Sequence, residues 1–197
     1  MISHFSGADP LVCAGPPGPA RRAKLALHAP FRLSLALAAI GLALFAGRAQ
    51  PQASAAASAF DRLKALAGTW QADSPAGGKL TSTFVLVSKG TAIEETIGTP
   101  AENEVSLYTR GAGRIVMTHY CALTAAGNQS RLEAPAAAAN QSEFVFAFVG
   151  ADNLASAADA HMHRMVLRLQ DPSHFTEAWT KRENGKDTIF TLSFVRR

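Results

Sequence analysis

Three of the six histidines in this 197-residue chain stand at positions where an extended strand would turn them inward. In Ala160–Gln170 a period of two groups His161, His163, Met165, Leu167 and Leu169 on one face. Met162, Arg164, Val166, Arg168 and Gln170 fall on the other. The face with two arginines must be the wet one, so both imidazoles are expected to look into an interior beside Met165. Each buried ring nitrogen needs a partner. Imidazole is therefore poor filler and a good polar anchor in a cavity. The same alternation sets Met117, His119 and Cys121 inward from Arg114–Cys121, and Glu177 and Trp179 inward from His174–Arg182.

Several kinds of chemistry are open to that set. The strands bearing His161 and Glu177 are joined by the short Asp171-Pro172 turn, so they should pair, and a Glu–His hydrogen bond across them would fix a tautomer. His-x-His puts two imidazoles about 7 Å apart on one face, and with His119 they could ligate a metal ion. One histidine could instead hold a haem iron. No HExxH, cysteine pair or carboxylate cluster accompanies them, and a metal-free polar pocket is the reading the residues favour. Glu177 with a histidine could act as acid and base in a small isomerase or hydrolase. Cys121 two residues from His119 suggests a nucleophile, but without a nucleophile elbow it is better read as a small hydrophobe. Whether the chain is an enzyme stays open, and no residue is assigned as catalytic.

Ser58–Gly68 carries Phe60, Leu63, Leu66 and Ala67 at helical spacing, and Gly68 ends it. From Trp70 on, the period falls to two. Ten candidate strands cover 69–72, 79–88, 91–98, 104–110, 114–121, 130–134, 143–149, 161–170, 174–182 and 188–196. Turn residues separate them, among them Gly77-Gly78, Gly111-Ala112-Gly113, Gly127-Asn128 and Asn184-Gly185. Ten hairpin-linked strands make an all-β antiparallel meander, and such a meander loses its edges by curling into a single barrel. The short N-terminal helix would close one end. Phe84, Phe144 and Phe146 join the histidine set as candidate lining of the interior. Asn128 is read as a turn residue.

Residues 1–49 have the form of a signal peptide, with Leu33–Ala46 as an uncharged apolar run too short to span a membrane comfortably. The segment ahead of that run is unusually long and contains Gly-Pro-Pro-Gly-Pro, which points to a true start further downstream. Arg21, Arg22, Lys24, Arg32 and Arg48 oppose only Asp9 there, so the whole formal charge of +4 resides before Gln50. The remainder is balanced, and the basic character gives no reason to expect a nucleic-acid partner. Residues 50–58 are Ala/Ser/Gln-rich and read as a flexible tether, leaving 59–197 as the barrel domain. Cys121 is alone after Cys13, so no internal disulfide is available.

A short helix running into Gly68-Thr69-Trp70 and then an all-antiparallel meander resembles the calycins: lipocalins, fatty-acid-binding proteins and nitrobindin-like barrels. Thr118–Leu123, Gly127-Asn128-Gln129 and His161-Met162-His163 are similar to an uncharacterised group of exported bacterial lipocalin-like proteins. The resemblance implies that Trp70 plugs the barrel floor beneath the helix and that a last-strand arginine, here Arg196, meets it. The nitrobindin-like members keep haem open as a cofactor without pointing to a particular histidine. Ten strands and no disulfide depart from the usual eight-stranded lipocalin. The expected function is an exported protein, periplasmic or secreted and not inserted in a membrane after cleavage. It would hold a small apolar or amphipathic molecule among Met117, His119, Cys121, His161, His163, Met165, Glu177, Trp179 and the three phenylalanines.

Overall fold

Alternation governs the chain from Gly68 onward, and the computed structural model turns it into strands. It describes residues 50–99, 103–121, 127–136 and 141–197, with side chains from residue 55. The leader expectation lies outside the described residues. The strands are β1 (Gly68–Asp73), β2 (Lys79–Val87), β3 (Ala92–Gly98), β4 (Asn103–Gly111), β5 (Arg114–Cys121), β6 (Asn128–Pro135), β7 (Glu143–Asp152), β8 (His161–Asp171), β9 (His174–Glu183) and β10 (Lys186–Arg196). Each pairs antiparallel with the next, and β10 returns to β1, closing a ten-strand barrel. The all-β meander barrel with one N-terminal helix is therefore what the structure has.

The helix α1 spans Gln50–Lys64 and begins earlier than its amphipathic stripe. The stretch expected to be a tether is helical. Its alanines lack apolar periodicity, which hid it, but alanine has the highest helix propensity of any residue. Ala56, Ala59, Phe60 and Leu63 are buried, and the helix packs over β4 and β5. Turn bonds from Ala65, Leu66 and Ala67 back to Arg62, Leu63 and Lys64 finish it.

The seam that closes the barrel is short: β1 and β10 share only the pairs Trp70↔Arg196 and Gln71↔Val195. Side chains reinforce it. Arg196 sets its guanidinium carbon 4.0 Å from the centre of a Trp70 ring, the arrangement the resemblance implied. It also donates to Ala65 O at 2.7 Å, Ala67 O at 3.0 Å and Pro172 O at 2.9 Å. Trp70 is buried and donates Nε1–H to Leu66 O at 2.7 Å. Gly68 admits this arginine: its φ is +129°, and a Cβ there would stand 2.9 Å from Arg196 Nη1.

Above this floor the interior is filled with aromatic rings. Phe175 meets Trp70 edge-on at 4.8 Å, stacks on Phe194 at 4.6 Å and touches Phe84 at 5.7 Å. Tyr108 and Phe146 follow at 5.7 Å, with Phe144 beside Phe146. The opposite end carries the connections after β1, β3, β5, β7 and β9, and no described helix covers it.

Three irregularities interrupt the ladder. One lies between Arg131 and Leu132 against β7, and one between Leu169 and Asp171 against β9. The third decides the histidine question: Met162 pairs with Lys181, Arg164 with Thr180, and His163 is the extra residue between them.

Candidate functional site

At the end away from α1 a pocket of about 920 Å³ opens into the barrel. Its walls come from the β1–β2 turn (Ser74, Ala76, Gly77), the end of β3 (Ile97), the start of β4 (Glu104), and Met162, Trp179, Lys181, Phe190 and Leu192. The lining is mixed: β9 and β10 place Trp179, Phe190 and Leu192 on an apolar wall, and Ser74, Asn103, Glu104 and Lys181 add polar groups around it. A smaller cleft of about 510 Å³ lies at the other end beside Trp70 and Arg196 and is bordered by neither histidine nor cysteine.

Beside the mouth sits a cluster of polar side chains from three neighbouring strands. His119 on β5 is buried, with Ser106 Oγ on β4 2.9 Å from Nδ1 and the Trp179 ring 4.6 Å away. Its Nε2 lies 3.3 Å from Glu104 Oε2 but lacks hydrogen-bond geometry. Cys121 donates to Asn128 Oδ1 at 3.3 Å, and Asn128 Nδ2 donates to Ala160 O at 3.0 Å. Donor atoms of Glu104, His119 and Cys121 all lie within 4.8 Å of one another. Burial alone would lower the pKa of His119. The adjoining Glu104 and Cys121 side chains favour the protonated ring, outweigh burial and raise the value to about 9.

Deeper in the barrel two carboxyl groups meet, both fully buried. Glu95 accepts from Ser82 Oγ at 2.8 Å and from Tyr108 Oη at 2.7 Å. Glu177 accepts from Trp179 Nε1 at 2.9 Å, while its Oε1 has no donor. Both pKa values are raised, chiefly by burial, and Glu177 is raised further by the charge of Glu95. Two adjacent ionised carboxylates offer only acceptors. A single proton held by the pair would supply the donor that Glu177 Oε1 lacks, and Glu95, with two donors already on it, is the member better suited to stay ionised.

The residues expected from the sequence are thus distributed over three places. His119, Cys121 and Trp179 stand together at the inner edge of the mouth, and Trp179 lines the pocket. Phe84, Met117, Phe144, Phe146 and Met165 are buried in the packed core and border none of the open pocket. Glu177 lies in the core too, bonded to Trp179 in place of the histidine expected across β8 and β9; its cross-strand neighbour on β8 is Leu167.

His161 and His163 need a correction. The bulge at His163 shifts the alternation by one residue, so Met162, opposite Lys181, takes the inward row with Met165 and Leu167. His161 is buried, but against other groups. Its Nδ1 is 2.8 Å from Asp159 O, its Nε2 is 3.2 Å from His163 Nδ1, and Phe148 lies 4.7 Å from one ring and 5.2 Å from the other. Burial, then the charges of Arg182 and His161, hold His163 below the ordinary histidine range. The expected ligand trio of His119, His161 and His163 is not the one assembled: His119 is grouped with Glu104 and Cys121.

Glu95, Ser106, Ser130 and Glu104 were absent from the candidates, although the signal was there. Glu95 shares its face with Ile93 and Ile97, Ser106 with Tyr108, and Ser130 with Leu132, and all three polar residues are buried. Asn128, expected in a turn, begins β6 and is buried. Comparison with protein-family models and with curated protein sequences finds no match for this chain.

Proposed function

We propose that the protein binds a small amphipathic molecule in the open mouth of its barrel. The apolar part would lie against Ile97, Met162, Phe190 and Leu192, with Trp179 at its inner end, and the polar part between Glu104 and Lys181. The observation that carries this is the pocket itself: its volume, with an apolar wall beside polar and charged groups, suits a small amphipathic guest. The floor below it is closed by packed aromatic rings, so the guest would enter only from the mouth.

The reading as a calycin-like carrier is supported by Gly68 and Trp70 following α1, and by Arg196 stacked on that tryptophan. The reading as an exported protein, free in the periplasm or secreted, rests on the basic segment and apolar run before Gln50. Titration calorimetry with a panel of medium-chain fatty acids, alkyl amines and neutral alcohols tests the binding. One saturable site, weakened by Phe190→Glu, is the expected result, and a panel without any saturable member argues against it. Cell fractionation with an antibody to the chain tests export.

A further inference from the structure

We propose that Glu104, His119 and Cys121 form a binding site for one divalent transition-metal ion of the zinc class, with a free coordination position toward the barrel mouth. The donors are a carboxylate, an imidazole and a thiol, each a ligand type that zinc accepts. Tetrahedral coordination at ordinary metal–ligand lengths would set such donors roughly 3.4–3.6 Å apart. Glu104 Oε2 and His119 Nε2 are already 3.3 Å apart, and no pair in the cluster exceeds 4.8 Å. Side-chain adjustments of about 1 Å would therefore complete the set.

Two further observations point to a ligand here. His119 has 1% of its side chain exposed, yet Nε2 finds no hydrogen-bond partner, and that atom lies 3.3 Å from Glu104 Oε2 within the donor cluster. A buried imidazole nitrogen normally has one. The opposite ring nitrogen is held by Ser106 Oγ. An incoming metal ion would displace the proton on Nε2, while a proton kept on Nδ1 and donated to that hydroxyl holds the ring in the orientation that outer-sphere partners give to metal-ligating histidines. Glu104 and Trp179, the residues in contact with His119, both line the pocket, so a three-ligand ion would present its fourth position to that space. The site shares Glu104 with the amphiphile reading, but metal titration and amphiphile titration read them separately, so either can fail without the other.

The test is titration of the full chain, freed of metal and kept reduced, with Co²⁺ as a spectroscopic substitute. One equivalent should produce the visible bands of a four-coordinate ion and a thiolate-to-cobalt charge-transfer band, and Zn²⁺ should abolish both. Cys121→Ser should remove the charge-transfer band. Glu104→Gln, at a half-exposed rim position, should weaken Co²⁺ binding by about 10-fold or more, and Ser106→Ala by about 10–100-fold. No charge-transfer band in the unaltered protein, or one that survives Cys121→Ser, overturns the proposal. If Cys121→Ser does not fold, Glu104→Gln decides alone: unchanged affinity in that variant is a refutation.

Discussion

Trp70 and Arg196 face each other across the β1–β10 seam, and the arginine covers the indole while donating to three carbonyl groups beyond it. With only two residue pairs holding the strands together, the side chain ties α1, β1 and the β8–β9 turn into one floor.

Arg196→Ala should therefore cost about 2–3 kcal/mol, combining the lost cation–π contact with charge-assisted hydrogen bonds. Arg196→Lys should recover only part of it, since an ammonium cannot fork to several carbonyls. Gly68→Ala should destabilise by a similar route, pushing the guanidinium away and straining a positive φ. Urea denaturation of the three variants measures each effect. Stabilities equal to that of the unaltered protein would show that the seam does not depend on this residue.

The Glu95–Glu177 pair predicts a dependence on pH. Glu177 has a folded pKa raised above its ordinary value of 4.5. Stability from such a group is full below the unfolded value and is lost as pH rises toward the folded one, by at most about 1.4 kcal/mol per pH unit. The protein should accordingly weaken from about pH 5 upward. Glu177→Gln keeps an acceptor for Trp179 and a donor for Glu95, so it should flatten the profile and be the more stable form at pH 8.

Glu95→Gln should behave in the opposite sense. It places an amide N–H against Ser82 or Tyr108, which both donate, and should cost about 2–3 kcal/mol. Denaturation curves at pH 5, 6.5 and 8 separate the two variants. Equal behaviour of both would mean that no proton is shared between these groups.

The ten strands were legible because inward and outward positions differ in polarity along most of the chain, and turn residues mark each break. The site was legible only in part. A bulge has no signature in a period-two pattern, so alternation carried His161 and His163 inward when one extra residue at His163 hands that row to Met162. Glu95 and Ser106 obeyed the alternation but were passed over because polar residues in a strand are ordinarily assigned to water. Their burial depends on partners from other strands: Glu95 needs Ser82 on β2 and Tyr108 on β4, and only the pairing register of β3 with its two neighbours brings these together. The pocket's location was hidden for a related reason. Which inward residues pack and which leave space depends on ring-to-ring fit across the barrel.

The bulge leads to a paired prediction for binding. His163→Ala should leave amphiphile affinity unchanged within about 2-fold, because that ring contacts His161 and Phe148 and does not border the pocket. Met162→Glu should lower affinity about 10-fold or more by setting a charge against the apolar wall. Calorimetric titration of both variants with one fatty acid is the check. The reverse ranking would return the site to the histidines.

Trp179 offers the most direct test of where a guest binds, because the other indole, Trp70, lies on the floor at the far end. Amphiphile titration followed by tryptophan emission should give a saturable change in the unaltered protein. Trp179→Phe should abolish that change, while calorimetry still registers binding. A full-sized emission change that persists in Trp179→Phe would place the guest near Trp70 and contradict a binding site in the barrel mouth.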